Sequence, residues 1–201
     1  MSKIDDIKKH YQPRVKPHLA NFDVLDWAGP EAQQARFEVL TEHVDLPRGV
    51  SLLDVGCGLG DLLAYLQLAG LAVDYTGVDV VAEMLARARL AHPEARFVQA
   101  DIFGDASALA GEMFDIVYCS GTLNLNLGNN LRFVAQALPR MLAHAKGYLA
   151  VNFLHARKPP ADARYFAYQP TKVIEIVQPL CQSVKLVEDY LPNDFTLICQ
   201  A

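Results

Sequence analysis

A glycine-rich stretch is the strongest chemical signal in this sequence. It is Asp54-Val55-Gly56-Cys57-Gly58-Leu59-Gly60-Asp61, set between a short apolar run and a helical pattern. Because glycine lacks a Cβ atom, the backbone can turn tightly here and a ligand can approach it closely. The helix that follows would offer unpaired N–H groups and the positive end of its dipole. The stretch therefore predicts a ligand-binding turn between a strand and a helix.

The glycine spacing distinguishes between two kinds of nucleotide ligand. A dinucleotide-binding turn has the pattern G-x-G-x-x-G, and its third glycine would fall where this chain has Asp61. A carboxylate at that position would repel a pyrophosphate. The spacing G-x-G-x-G, with Asp54 two residues before it, better suits a ligand with a cationic part. Asp54 can attract an ammonium group or hold a water molecule that does so.

Two further aspartates end the next two predicted strands. Asp79 follows Gly60 by 19 residues, and its carboxylate can accept hydrogen bonds from both hydroxyls of a ribose. Asp101 can accept one from an adenine amino group, beside the apolar Ile102. Either residue alone is more often a helix cap or a turn former. Because the carboxyl ends of strands in an open α/β sheet meet at one crevice, the three acids together predict a site for a cationic nucleoside such as S-adenosylmethionine.

Alternating strand and helix patterns from position 50 onward would position this site. Five apolar runs predict strands at 51–55, 75–80, 96–100, 114–120 and 147–154. This alternation predicts a parallel sheet covered by helices on both faces. The last two runs, 183–190 and 195–200, are too close for a parallel crossover and predict an antiparallel hairpin at the sheet edge. Pro139 predicts a kink or a restart in the helix after the fourth strand.

The first 49 residues differ from the rest of the chain. Prolines interrupt them early, and Pro30 is well placed to begin a helix that ends near His43. We predict that residues 1–49 form an N-terminal helical cap, which belongs to the same domain as residues 50–201.

Four segments resemble the successive motifs of the class I S-adenosylmethionine-dependent methyltransferases. They are LLDVGCGLGDLL (52–63), GVDVVAEMLARAR (77–89), FVQADI (97–102) and FDIVYCSGTLN (114–124). The resemblance covers about residues 50–154, and segment 27–40 is similar to small bacterial members. It implies a Rossmann-like, doubly wound α/β fold, with a mostly parallel seven-stranded sheet and an antiparallel C-terminal hairpin.

The resemblance implies a role for each matching position at the methionine and ribose. Gly56, Gly58 and Gly60, with Cys57 between them, would line the methionine part of S-adenosylmethionine. Asp79 would bind the ribose. The product of the reaction would be S-adenosylhomocysteine.

The adenine and the acceptor would lie on either side of these residues. Val80 and Met84 would flank the adenine, and Asp101 and Ile102 would hold its edge and face. At the end of the fourth strand, the pair Ser120-Gly121 would lie below the methionine and the incoming acceptor.

Three residues outside these motifs are candidates for cap or substrate contacts. Asn124 is close enough to the fourth strand to face the methyl acceptor. Trp27 and Arg36 belong to the N-terminal segment, which in such enzymes often closes over the cofactor. Arg36 would either meet the cofactor carboxylate or lie on a helix surface. Farther along, Tyr165, Phe166 and Tyr168 would form either a hydrophobic lid or ordinary packing.

No acid–base pair marks a catalytic residue, which is compatible with a sulfonium that is already an activated methyl donor. A general base is needed only for a weakly acidic acceptor such as an alcohol. The sequence therefore predicts a methyltransferase without naming its catalytic residues. Two alternatives stay open, a non-catalytic S-adenosylmethionine-binding sensor or partner protein and a nicotinamide-dependent oxidoreductase, which Asp61 disfavours.

The composition of the chain restricts the classes of molecule that it is expected to bind. The formal net charge is −5 and no dense basic run is present, so we expect a small-molecule acceptor rather than nucleic acid. No signal peptide or membrane-spanning run is visible. The four cysteines and six histidines lack the spacing of a metal site, and the unpaired cysteines predict a cytoplasmic protein.

Overall fold

A computed structural model describes residues 3–16, 18–26, 29–104 and 109–201. The seven strands are β1 (Ser51–Val55), β2 (Asp74–Asp79), β3 (Arg96–Gln99), β4 (Phe114–Cys119), β5 (Ala145–Leu154), β6 (Ser183–Val187) and β7 (Asp194–Gln200). The α-helices are α1 (Lys3–Tyr11), α2 (Asn21–Val24), α3 (Pro30–His43), α4 (Asp61–Leu68), α5 (Ala82–Ala91), α6 (Asn130–Leu142) and α7 (Pro170–Val177). None of the helices in these described ranges is both long enough and apolar enough to cross a membrane.

The strands form one sheet in the order β3-β2-β1-β4-β5-β7-β6. Strands β1 to β5 pair in parallel, and β7 runs antiparallel to both β5 and β6. The predicted α/β fold and C-terminal hairpin are confirmed. The chain progresses outward in opposite directions from β1 and β4, so a crevice opens where the carboxyl ends of these two strands meet.

Consecutive residues of the central strands point to opposite faces of the sheet, as the period of two requires. Leu52 and Ile116 pack in one buried cluster with residues of α3, α4 and α5. Leu53 and Val117 pack in another with residues of α6 and α7. Because both faces are covered, most residues of the central strands β1, β4 and β5 are apolar.

Helix α6 continues through Pro139, so the predicted restart at that residue is wrong. Proline has no N–H to donate to the carbonyl of Ala135, four residues earlier. Both residues are exposed, so that carbonyl faces solvent, while the opposite face of the helix packs into the core. The apolar face therefore maintains the helix despite the missing hydrogen bond.

A buried ion pair ties α3 to the C-terminal strand. Arg36 Nε lies 2.5 Å from Asp194 Oδ2, and the two residues are 4% and 0% exposed. Asn152 Nδ2 donates a second hydrogen bond, 2.9 Å long, to the same oxygen. Removing one member of such a pair leaves a buried charge without its partner, which typically costs about 3–5 kcal/mol. Helix α3 is thus fixed against the sheet beside the crevice.

Candidate functional site

The glycine-rich stretch forms the predicted turn between β1 and α4. The backbone N–H groups of Gly56 and Cys57 both donate to the carbonyl of Val78 on β2, at 2.8 and 3.1 Å. Gly56 has a φ of +73°, and a Cβ there would overlap the Thr122 hydroxyl and lie 2.9 Å from Thr122 Cβ. A Cβ at Gly58 would lie 2.9 Å from Leu25 Cδ2. The turn therefore packs closely against the chain after β4 at Gly56 and against the N-terminal segment at Gly58, where an added side chain would displace its neighbour.

Asp79 binds this turn from the end of β2. Its Oδ2 accepts a hydrogen bond from the Gly58 N–H and its Oδ1 accepts one from the Val81 N–H, both at 2.9 Å. Burial raises the pKa of Asp79, and the backbone hydrogen bonds oppose that rise. Each carboxylate oxygen can accept more than one hydrogen bond, so both oxygens retain capacity for a ligand.

Asp54 is buried at the end of β1. The Tyr75 hydroxyl donates to its Oδ2 at 2.7 Å. Burial raises the pKa of Asp54 to about 7, although the Tyr75 hydrogen bond favours the ionised form. A ligand that brings positive charge would stabilise the carboxylate.

Asp101 follows β3 and shapes the loop after it. Its Oδ1 accepts a hydrogen bond from the Phe103 N–H at 3.0 Å, which is the ordinary role of an aspartate in a turn. Asp101 is partly buried, and the adjacent Ile102 is 2% exposed. Both residues nevertheless line the same cavity as Asp54 and Asp79.

That cavity has a volume of about 260 Å³ and brings together most of the predicted site residues. The predicted residues that line it are Arg36, Asp54, Gly56, Cys57, Gly58, Asp79, Val80, Met84, Asp101, Ile102, Ser120, Gly121 and Asn124. Gly60 does not line it and instead caps α4 with a φ of +83°. Trp27 lies outside the described residues.

The N-terminal segment supplies lining residues that sequence patterns did not indicate. Ile7, Tyr11 and Leu25 line the cavity. Burial and the nearby Asp79 raise the pKa of Tyr11. Helix α1 has a charged sequence that is typical of a solvated helix, so no local signal marks these residues.

Asp61 holds this segment to the first turn of α4. Its two carboxylate oxygens accept hydrogen bonds from the side-chain amides of Asn21 and Gln33. The aspartate that breaks the dinucleotide pattern is thus a contact between the N-terminal helices and the glycine turn. Its negative charge also lies at the favourable end of the α4 dipole.

A polar cluster joins the N-terminal segment to the chain after β5. The Tyr165 hydroxyl donates to Asp26 Oδ2, to which Arg14 is ion-paired at 3.0 Å. His10 Nε2 lies 3.2 Å from the Tyr165 hydroxyl. Asp26 has a φ of +59°, a conformation that aspartate tolerates better than most residues. Asp26 and Tyr165 both line the cavity.

The three aromatic residues after β5 have different positions. Tyr165 is a cavity residue, whereas Tyr168 is 1% exposed in the core and donates a hydrogen bond to the Leu123 carbonyl at 2.6 Å. Phe166 packs against the same core. Packing is therefore the role of Tyr168 and Phe166, whereas Tyr165 lies at the cavity.

Arg36 and Asn124 both line the cavity. Arg36 is buried and ion-paired, so the alternative of a surface helix residue is wrong for it. Asn124 Oδ1 accepts a hydrogen bond from the Leu154 N–H at 3.0 Å, which joins the loop after β4 to the end of β5. Among the described residues, no group of three or more His, Cys, Asp or Glu side chains is placed to hold a metal ion.

Comparison with known proteins points to one family. A family model described as a methyltransferase domain matches residues 52–156. The chain is 35% identical over 147 residues to a malonyl-[acyl-carrier protein] O-methyltransferase of Enterobacter lignolyticus, covering 73% of this chain and 53% of that protein. It is 32% identical over 140 residues to a trans-aconitate 2-methyltransferase of an Enterobacter species, covering 60% and 55%. The chain thus spans about half the length of these relatives.

A solved structure resembles the whole chain in fold. It is the magnesium protoporphyrin IX methyltransferase of Synechocystis PCC 6803 with bound SAM, with a TM-score of 0.69 and 15% sequence identity. The match covers 100% of this chain and 97% of that one. At this low identity, the likeness is one of fold.

Replacing Gly56 with alanine should destabilise the protein more than the same change at Gly70. Both glycines have a φ of +73°, but a Cβ at Gly70 would meet nothing within 4 Å. Backbone strain is therefore common to both variants, and only Gly56→Ala adds an overlap with Thr122. We expect Gly56→Ala to lose about 1–3 kcal/mol more of unfolding free energy than Gly70→Ala in urea denaturation. Equal losses would contradict this account of the turn.

Proposed function

Because the chain belongs to the class I S-adenosylmethionine-dependent methyltransferases, we propose that it transfers the methyl group of S-adenosylmethionine to a small-molecule acceptor. The strongest support is the set of three carboxylates, Asp54, Asp79 and Asp101, that lie at or just after the carboxyl ends of adjacent strands and line one cavity with the glycine turn. This arrangement suits a nucleoside that carries an ammonium and a sulfonium. A dinucleotide would instead place its pyrophosphate near Asp61 at the start of α4.

The methionine part of the cofactor would lie along the glycine turn. Gly56 and Gly58 line the cavity there, and a Cβ at either position would displace a neighbouring side chain. Asp54 would attract the ammonium group, directly or through water. Arg36 lines the same cavity and would meet the carboxylate of the methionine.

The adenosine would extend toward β2 and β3. Asp79 would accept hydrogen bonds from the ribose hydroxyls with the remaining capacity of its two oxygens. Val80 and Met84 would contact one face of the adenine, and Ile102 the other. Asp101 would accept a hydrogen bond from the adenine amino group.

The acceptor would approach over the ends of β4 and β5. Ser120, Gly121 and Asn124 line this part of the cavity together with Tyr165. Helices α1 to α3, within the proposed N-terminal cap, would exclude water from the reacting atoms. Tyr11 and other lining residues of the N-terminal segment support this proposal.

When bound, the cofactor would supply an activated methyl group. As an acceptor lone pair forms the new bond to the methyl carbon, the C–S bond would break and its electron pair would stay on sulfur. The protein's residues would therefore act mainly by binding and alignment. The acceptors named for the two relatives belong to proteins of about twice the matched length. The acceptor of this chain must instead follow from its own cavity.

Replacing Asp79 with asparagine should weaken cofactor binding. The change removes a charge that would strengthen hydrogen bonds to the ribose, so we expect the Kd for S-adenosylhomocysteine to rise about 10- to 100-fold in calorimetric titration. Asp74→Asn, at the exposed start of the same strand, is the matched control and should leave the Kd unchanged. Unaltered affinity in Asp79→Asn, or tight binding of NADH to the wild type, would refute the proposed cofactor site.

Cofactor affinity should decrease at acidic pH because of Asp54. The pKa of Asp54 is raised to about 7, so the carboxyl group is protonated below that pH and ionised above it. A ligand ammonium binds the ionised form, so we expect the Kd for S-adenosylhomocysteine to rise up to about tenfold per pH unit below pH 7. Calorimetry across this range should show a weaker pH dependence in Asp54→Asn. An identical pH dependence in both proteins would exclude Asp54 as the titrating group.

Catalysis can be separated from mere cofactor binding. Incubation with methyl-labelled S-adenosylmethionine and a small-molecule cell extract should transfer the label to extract components and release S-adenosylhomocysteine. Mass spectrometry would measure both products, with protein-free extract as the control. A protein that binds the cofactor but releases no S-adenosylhomocysteine would be a sensor or partner protein instead of an enzyme.

A further inference from the structure

Asn124 has one hydrogen-bonding group that the protein leaves unused. Its backbone N–H donates to the Gly121 carbonyl at 3.2 Å, and its own carbonyl accepts a hydrogen bond from the Phe166 N–H at 2.8 Å. Its side-chain oxygen, Oδ1, accepts one from the Leu154 N–H at 3.0 Å. Its side-chain nitrogen, Nδ2, has no hydrogen-bond partner among the described residues. Because nearly all buried polar groups in folded proteins are hydrogen-bonded, this unused donor points to a ligand.

The orientation of the Asn124 side-chain amide is fixed by Leu154. A backbone N–H can only donate, so the amide atom that it meets must be the oxygen. The other terminal atom is therefore the NH₂ group, which can donate two hydrogen bonds and accepts none. Asn124 Nδ2 thus suits a ligand atom that accepts hydrogen bonds and does not suit an ammonium group, which can only donate them.

This donor is accessible from the cavity. Asn124 is only 4% exposed and lines the cavity, so its small accessible surface lies there. Four side-chain atoms of the described residues are both fully buried and without a partner, namely His43 Nδ1, Ser120 Oγ, Asn152 Oδ1 and Asp194 Oδ1. Asn124 Nδ2 is not one of them. It is therefore an unpartnered donor that a small molecule in the cavity can reach.

Asn124 lies on the β5 side of the site. In the sheet, β1 and β4 separate β5 from β2. Because neighbouring strands lie about 4.8 Å apart, the end of β5 is about 14 Å from the end of β2, where Asp79 would bind the ribose. Leu154, which holds the Asn124 side chain at the end of β5, also lines the cavity. An adenosine at the ends of β2 and β3 would leave this part of the cavity to the acceptor.

A second side-chain amide lies beside the same end of β5. Asn193 lines the cavity, and its backbone carbonyl accepts a hydrogen bond from the N–H of His155, the residue after Leu154, at 2.7 Å. The Asn193 side chain makes no hydrogen bond with any described residue. Asn124 and Asn193 therefore bring uncharged polar groups that the protein does not use to the end of β5.

We propose that the methyl acceptor carries a carbonyl oxygen, in a ketone, ester, amide or carboxylate group, and that Asn124 Nδ2 donates a hydrogen bond to it. This inference rests on the proposed function. When the acceptor fills the cavity and excludes water, an Nδ2 group without a partner is costly. Compounds that lack such an oxygen therefore bind weakly, which makes Asn124 a specificity-determining residue.

Equilibrium binding to protein saturated with S-adenosylhomocysteine tests the inference without turnover. Calorimetry at pH 8 would compare an acid, a ketone and an amine of similar skeleton, in two sets. The sets are butyrate, 2-pentanone and butylamine, and 3-phenylpropionate, 4-phenyl-2-butanone and 3-phenylpropylamine. In at least one set, we expect the acid or the ketone to bind about tenfold or more tightly than the amine. Amines that bind as tightly as both oxygen compounds in each set, or acids and ketones that all fail to bind, would overturn the inference.

Asn124→Asp reverses the hydrogen-bonding character of this position. The aspartate keeps one oxygen for the Leu154 N–H and replaces the donor with a second oxygen. We expect the preferred acid or ketone to bind about tenfold or more weakly and the matching amine to bind more tightly. Asn129→Asp makes the same change at an exposed position just before α6 and should alter neither affinity.

Asn124→Ala removes the donor without adding an acceptor. It should weaken binding of the acid or ketone as Asn124→Asp does, but without strengthening binding of the amine. Thermal unfolding and the Kd for S-adenosylhomocysteine would verify that each variant is folded. Because Asn124→Asp retains the contact with Leu154, it decides the question even where Asn124→Ala fails to fold.

The outcomes separate the two levels of the argument. If S-adenosylhomocysteine does not bind the wild-type protein, the proposed function fails. If it binds and Asn124→Asp keeps the wild-type preference for the acid or ketone, only the assignment of the acceptor fails. A folded Asn124→Asp with a tenfold weaker affinity for S-adenosylhomocysteine would assign Nδ2 to the cofactor and would also overturn the inference.

Discussion

Buried carboxylates at one edge of a parallel sheet are the constraint on which this site depends. Asp54 and Asp79 are 4% and 9% exposed, and burial of an ionised carboxylate is costly unless it is compensated. The fold compensates in part, through the Tyr75 hydroxyl at Asp54 and the N–H groups of Gly58 and Val81 at Asp79. A cationic nucleoside would complete that compensation, so part of the energetic cost of burying these carboxylates would become affinity for the ligand.

The same carboxylates connect the site to the architecture around it. Asp79 fixes the backbone of the glycine turn, and Asp61 fixes the N-terminal helices to the helix after that turn. Asp26 joins the N-terminal segment to Tyr165, beyond β5. Cavity walls that are far apart in sequence are therefore held by polar contacts to aspartates, several of which also face the cavity. In the proposed function, cofactor binding uses groups whose positions these contacts have already fixed.

The strands and the glycine turn were predictable because their signals are local. Apolar runs of five to eight residues define the strands, and the glycines with their flanking acids mark the turn after β1. The acids at positions 79 and 101 were also predictable as cavity residues, because parallel strands place their carboxyl ends at one edge. Pro139 was misleading, since burial of one face of α6 outweighs the loss of a single hydrogen bond on its exposed face.

The sequence by itself determined the fold class, the turn and the three acids of the proposed cofactor site, because each depends on residues that are close along the chain or on the direction of parallel strands. Only the tertiary structure decided that Arg36 is buried against Asp194 and that Tyr11, Leu25 and Asp26 reach the cavity. These contacts join segments separated by many residues, and their partners leave no periodic pattern in either segment. The contribution of the N-terminal segment to the cavity is therefore a property of the folded chain.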